Sequence, residues 1–153
     1  MELKHLTDAV LLARLKSLVS QEREEAAAIV EHLAEVDRRE IIVDAGYSTL
    51  FDYCVKVLLY SESAAFLRIR AARAIGEFPR ILDDLKSGAL HLDAIMRLTP
   101  HLNGSNSDTL LDQASGASKR QVLALVAGLG GNEIASERDV IRILPQADRK
   151  SVV

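Results

Sequence analysis

The chain has 153 residues, a formal net charge of −3 and an apolar content of 48%, which is enough for one hydrophobic core without disulfides or metals. A single cysteine, Cys54, excludes an intrachain disulfide, and no apolar run reaches the length of a signal peptide or membrane span. These features favour a cytoplasmic protein with no membrane contact. The acidic balance excludes proteins that coat nucleic acid by bulk attraction, so any DNA contact must be local.

Apolar residues recur at helical spacing along the chain, which predicts an all-α, compact multi-helix domain with a long N-terminal helix. The first helix is predicted over residues 7–18. Three leucines share one of its faces: Leu11, Leu15 and Leu18. The second helix, residues 20–43, begins with Ser20 as its N-cap and ends near Gly46. Its apolar positions are Ala26, Ile29, Leu33 and Val36. Its length exceeds what a small domain covers, which predicts a homodimer through residues 20–43.

Serine and proline residues delimit the next two helices. Ser48 is predicted to cap a third helix over residues 49–58, and Ser61 a fourth that Pro79 ends. A helix, a tight turn and a serine-capped helix form the layout of a helix-turn-helix.

The second half of the chain shows further helix signals. Pro79 opens a fifth helix, 80–86, which Gly88 closes, and two more follow at 92–98 and 108–114. Ser118 and Gln121 then form a capping box at the start of a last apolar helix. We expect a domain over residues 1–131, divided into N-terminal helices (1–46) and the helix-turn-helix with its followers (47–131). Residues 132–153 are expected to form a tail or linker, with one more turn at "SERDVIRIL".

No pattern of catalytic or metal-binding residues is present in the sequence. The four histidines are scattered without an i,i+4 pair or a neighbouring cysteine pair, and Cys54 falls on an apolar helix face. The "GLGG" run at 128–131 follows a helix, whereas a phosphate-binding loop follows a strand and opens a helix. We therefore expect no enzyme activity, no catalytic residue, no metal and no cofactor.

Charge is segregated along the chain. Residues 22–44 carry eight acidic and three basic residues, whereas residues 61–80 carry four arginines and two glutamates. Helical spacing predicts a core stripe on the fourth helix made of Ala64, Leu67, Ala71, Ile75 and Phe78. The opposite side carries Phe66, Ile69 and most of the arginines. The predicted DNA-binding residues are Ser61, Ser63, Arg68, Arg70 and Arg73, through phosphate or base contacts and the helix amino end.

One alternative to DNA binding is also compatible with the sequence. Arg73 and Glu77 are spaced i,i+4 and can form an intrahelical salt bridge, which would make the arginines solvated residues of a structural helix. The chain would then be a protein interaction or homodimerisation module without DNA binding, with Phe66 and Ile69 at the interface. Both functions are compatible, since helix-turn-helix proteins usually bind DNA as dimers.

Two resemblances favour DNA. The segment "FPRILDDLKSGALHLDAIMRL" resembles the region after the recognition helix in ParB-type partition proteins, and this resemblance extends over residues 49–127. The turn departs from that pattern in having Leu59 where the motif has glycine, and the fourth helix is one turn longer. The register of the fourth helix also differs: with Ser61 as its cap, Arg68 falls where the motif has an apolar residue.

A second resemblance covers nearly the whole chain. The stretches "GYSTLFDYCVKVLLYSESAAFLRIRAARAIGEFP" and "SKRQVLALVAGL" resemble the N-terminal region of bacterial proteins of the HNH endonuclease family. The resemblance implies a DNA-associated role for the chain, with double-stranded DNA as partner. In that family a separate metal-dependent nuclease module follows, and the residues after Leu129 do not supply one. We expect this chain to be a fragment of such a protein or a stand-alone non-catalytic relative.

Overall fold

The computed structural model describes residues 2–129, and this part of the chain is all-helical. Its α-helices are α1 (Asp8–Arg39), α2 (Ile41–Asp44), α3 (Leu50–Lys56), α4 (Glu62–Glu77), α5 (Arg80–Ser87), α6 (Leu92–Leu98), α7 (Ser107–Ala114) and α8 (Lys119–Ala127), with a 3-10 turn at Thr99–His101. The all-α prediction and the long N-terminal helix are confirmed. The predicted tail at 132–153 lies outside the described residues. Of the helices described, none combines the length and apolarity needed to cross a bilayer.

The two helices predicted at 7–18 and 20–43 are one helix, α1, and the prediction of a break between them is wrong. Thr7 is the N-cap, and its hydroxyl accepts a hydrogen bond of 3.3 Å from the Val10 amide. Ser20 lies exposed within the helix. No glycine or proline lies near it to interrupt the backbone hydrogen bonds. The helix ends at Glu40, whose left-handed φ of 54° separates α1 from the short α2.

Most of the predicted caps of the helices after α2 are confirmed. The Ser61 hydroxyl accepts a hydrogen bond from the Ala64 amide at 3.2 Å, and Ser118 and Gln121 form the reciprocal capping box of α8. The cap of α3 is different, because Thr49 rather than Ser48 is its N-cap, and the Thr49 hydroxyl accepts a hydrogen bond of 3.0 Å from the Asp52 amide. The helix boundaries are thus set by local side-chain hydrogen bonds.

Helix α4 lies at the centre of the domain, in contact with α1, α3, α5 and α6. Its buried side chains point in several directions: Ala65, Phe66, Ile69, Ala71, Ala72 and Ala74. The predicted core stripe is therefore only partly right. Ala71 and Phe78 are buried, but Ala64, Leu67 and Ile75 are half-buried. Phe66 and Ile69, predicted on the outer side, are each 6% exposed. A helix with neighbours on four sides has no single apolar face.

The carboxyl-terminal half of α1 closes this core from one side. It buries Ala27, Val30 and Leu33 and packs mainly against α4 and α5. Near the middle of α1, the Arg23 guanidinium lies across Gly88, which ends α5 with a φ of 83°. A Cβ at this glycine would lie 2.9 Å from the Arg23 Cζ atom. Gly88 is thus required by its left-handed backbone conformation, and a side chain there would also displace the Arg23 guanidinium.

The turn between α3 and α4 contains a leucine in a conformation that favours glycine. Leu59 has a φ of 62° and is 81% exposed. A left-handed conformation brings the Cβ of an L-residue close to its own carbonyl oxygen, at a cost of about 1–2 kcal/mol. The side chain gains little burial to offset this cost.

We expect Leu59→Gly to raise the free energy of unfolding by about 0.5–1 kcal/mol, because relief of the left-handed strain exceeds the entropy that glycine adds to the unfolded chain. Urea titration followed by circular dichroism measures the change. Leu58→Gly is the matched control: Leu58 is in the same turn, but its φ is not positive, so this variant should lose stability. Equal losses in both variants would contradict the prediction.

Candidate functional site

The five residues predicted to bind DNA do not form one exposed surface. Ser61 and Ser63 are exposed at the amino end of α4. Arg68 and Arg70 are half-buried, and Arg73 is exposed near the other end of the helix. The sequence pattern placed these residues on one helix, and the packing of α4 separates them.

Arg68 is held by contacts within the domain. Its guanidinium lies over the Tyr60 ring, 4.6 Å from the ring centroid, and its Nη1 donates a hydrogen bond of 3.0 Å to the Ala64 carbonyl oxygen. It also lines a cleft formed with α1, α5 and α6, whose lining includes Glu22. A stacked, hydrogen-bonded arginine has a structural role here, fixing the start of α4 against the preceding turn.

Arg70 and Arg73 differ in how far they reach the surface. The Nε atom of Arg70 is buried, so an alanine in its place would change the packing of α4. Arg73 has a 56% exposed side chain, and its Nε lies 3.4 Å from Oδ2 of Asp37 on α1. The predicted i,i+4 pair with Glu77 is replaced by this ion pair between two helices.

Acidic residues of α1 flank the exposed edge of α4. The groove between the two helices is lined by Glu31, Glu35 and Asp37 on one side and by Arg73 and Gly76 on the other. Phosphate approaching Arg73 along this groove would meet these carboxylates. Carboxylates of α1 therefore offset the positive charge of α4 locally. The two contacting residues, Asp37 and Arg73, are 36 residues apart in the sequence.

The basic residues at the end of α1 are also paired. Glu35 accepts hydrogen bonds from Arg38 at 2.6 Å and from Arg39 at 2.7 Å. These two hydrogen bonds, Arg38 first, hold the pKa of Glu35 at about 2, below its ordinary value of 4.5. Because the pKa is lowered in the folded chain, the stabilisation is present above pH 4.5 and is lost as the pH falls towards 2. All three side chains are largely exposed, so solvent screening keeps the effect small.

We expect an NMR titration to give Glu35 a pKa of about 2. In the double variant Arg38→Ala, Arg39→Ala the pKa should return towards 4.5, because both hydrogen-bond donors are gone. Arg97→Ala on α6 is the control and should leave the Glu35 titration unchanged. A native pKa at the ordinary value, or a double variant with no shift, would refute the effect of the two arginines.

The described residues contain few groups suited to catalysis. Cys54 is fully buried, and burial raises the pKa of its thiol, which keeps it neutral and unreactive. Within residues 2–129, no group of three or more His, Cys, Asp or Glu side chains is arranged to hold a metal ion. Arg80, one of the basic residues of the 61–80 segment, is bound to Asp84 at 3.0 Å and Asp112 at 2.7 Å and joins α5 to α7.

A large exposed apolar surface lies on the amino-terminal half of α1. Residues 8–25 are all exposed, so this half of the helix extends beyond the body of the domain. Its apolar side chains on one face, called here the leucine stripe, are Leu11 (39% exposed), Leu12 (59%), Leu15 (56%), Leu18 (61%) and Val19 (37%). The helical spacing of three of these leucines is visible in the sequence, but their exposure is not.

A second apolar surface lies further along α1. It is an open groove of about 560 Å³ between α1 and α3, called here the α1–α3 groove. Its lining is mostly apolar: Glu25, Ala28, Ile29, His32, Leu33, Val36, Tyr53 and Leu58. Ile29 is 37% and Leu58 42% exposed, so the groove leaves large apolar side chains in contact with solvent.

No protein-family model, curated protein or solved structure shows significant similarity to the chain.

Proposed function

We propose that this domain is a self-association module and that the amino-terminal half of α1 carries the contact. The observation that supports this function is the leucine stripe, five apolar side chains that are between 37% and 61% exposed on one face of a protruding helix. Contiguous apolar patches on soluble proteins mark interaction sites. A second copy of the chain is a partner that is always present at the same concentration.

The proposal places the main contact before most of the segment predicted from the sequence, residues 20–43. Part of that segment was expected to project, but Ala27, Val30 and Leu33 are buried against the body of the domain, so only its opposite side is open to a partner. The other predicted interface, Phe66 and Ile69, is buried as well and is not available to a partner. Most of the exposed large apolar residues of α1 precede this region, at positions 11–19, while Ile29 within it is 37% exposed.

Wild-type protein at micromolar concentration is expected to sediment with twice the chain mass. The double variant Leu15→Asp, Leu18→Asp should sediment as a monomer, because two buried, unpaired carboxylates would oppose association. Its circular dichroism should stay helical, since both leucine side chains are more than half exposed. Ser17→Asp, on the opposite face of the same helix, is the matched control and should remain dimeric. A monomeric wild type would end the proposal.

Duplex DNA binding is a second candidate, favoured by the geometry of the turn before α4. The glycine position of the ParB-type motif falls at Leu59, and Leu59 has the left-handed φ that such a glycine normally provides. Ser61 and Ser63 are exposed at the amino end of α4, where free backbone amides and the helix dipole favour phosphate. DNA binding is also the role implied by the resemblance of the sequence to the non-catalytic N-terminal region of HNH endonuclease-family proteins.

For this candidate we expect Ser63→Glu to weaken DNA binding at low salt at least tenfold, because a carboxylate at the amino end of α4 repels phosphate. The same charge favours the helix dipole, so stability should not fall. Fluorescence anisotropy with a labelled duplex measures the affinity. Ser17→Glu, an equal change far along α1, should have little effect. If the wild type shows no binding, or both variants lose affinity equally, DNA is not the ligand of this surface.

A further inference from the structure

The leucine stripe and the α1–α3 groove share one face of α1. Alternating steps of four and three residues along the helix connect Leu11, Leu15, Leu18, Glu22, Glu25, Ile29, His32 and Val36. The last four of these line the groove. Steps of four and three keep residues on one side of a helix that pairs with another helix. The two apolar surfaces are therefore the ends of one continuous face, separated by two glutamates.

The two ends are placed symmetrically about the middle of α1. Three pairs of residues share a midpoint that lies between Arg23 and Glu24. The pairs are Leu11 with Val36, Leu15 with His32, and Leu18 with Ile29. A twofold axis through that point, perpendicular to the helix, brings Leu11, Leu15 and Leu18 of the leucine stripe opposite groove residues of a second copy. Such a contact is isologous, as closed dimers require.

We propose that two copies of α1 pair in antiparallel orientation, with the leucine stripe of each copy in the α1–α3 groove of the other. This arrangement rests on the self-association proposed above and specifies its geometry. Tyr53 and Leu58, from α3 and the turn after it, form the outer wall of the groove, so the stripe contacts this wall as well as α1. The occupant of the groove is thus a segment of the same chain from a second molecule.

The area required by a stable dimer supports this arrangement. The leucine stripe spans nine residues, or about 13 Å of helix, which is too short to bury the roughly 800 Å² per partner of a typical stable interface. Pairing from Leu11 to Val36 extends the contact to about 38 Å and adds the groove walls. A parallel dimer would pair the stripes with each other and leave both grooves open to solvent.

The antiparallel register also places like charges at its centre. Glu22 and Glu25 of one copy lie opposite Glu25 and Glu22 of the other, which brings four carboxylates together. Like charges at facing positions weaken helix pairing. The double variant Glu22→Gln, Glu25→Gln should therefore tighten the dimer several-fold in sedimentation equilibrium, whereas an unchanged or weaker dimer would speak against this register.

Disulfide cross-linking tests the orientation directly. Two single variants, Leu18→Cys and Ile29→Cys, are mixed and mildly oxidised, and the products are separated on a non-reducing gel. The native Cys54 is buried and stays in place, with the wild type as its control. In the antiparallel register position 18 of one copy lies opposite position 29 of the other, whereas the two copies of position 18 are about 16 Å apart. We expect cross-links between the two variants and none within either one alone.

The outcomes separate the two proposals. A wild-type dimer with cross-links only in the mixture supports the antiparallel arrangement. A wild-type dimer in which Leu18→Cys cross-links to itself, or in which no variant cross-links, overturns the arrangement while self-association stands. A monomeric wild type overturns both.

Discussion

Four small side chains on α4 set the spacing of the helices around it. Ala65, Ala71, Ala72 and Ala74 are each at most 3% exposed, and they lie on more than one side of the helix. The distance between packed helices depends on the side chains at the contact, so alanines let α1, α3, α5 and α6 approach α4 together. Larger residues at these positions would push the neighbours outward on several sides at once. The central position of α4 depends on this close approach.

That central position determines which surfaces remain for function. The arginines of α4 lie at the seams between helices, where Arg68 stacks on Tyr60 and Arg73 meets Asp37 of α1. Only the amino end of the helix and the Arg73 edge reach solvent. A larger exposed apolar surface lies instead on the amino-terminal half of α1. The arginines of α4 thus make contacts within the domain, and the acidic helix α1 carries the main candidate surface.

The sequence predicts the fold well wherever the determinants are local. The caps at Ser61 and Ser118, the end of α5 at Gly88 and the separation of α4 from α5 at Pro79 all follow from neighbouring residues. The predicted helix start at Ser20 was wrong because serine occurs both at helix caps and on exposed helix faces. The prediction of a single buried stripe on α4 was only partly right. Helical periodicity identifies a buried stripe when one side of a helix is covered, whereas α4 has neighbours on four sides.

The candidate sites were less predictable because they depend on which helices pack against each other. Pairing of Arg73 with Asp37 joins residues 36 apart, and helical spacing carries no information on contacts of that range. The face of Leu11, Leu15 and Leu18 is visible in the sequence, but whether a neighbouring helix covers it depends on where the body of the domain ends. The DNA contacts at Ser61 and Ser63 stay predictions, because exposure alone does not identify a ligand.

The contact of Arg23 with Gly88 marks the point where α1 leaves the body of the domain. The fifteen residues from Asp8 to Glu22 beyond it are exposed, and a helix of about this length is marginally stable alone in water. Its helical order therefore depends on continuation from the buried half. In a single molecule these amides would exchange with solvent through local fraying, without global unfolding. Pairing with a second copy would slow that exchange, so the order of this segment would depend on protein concentration.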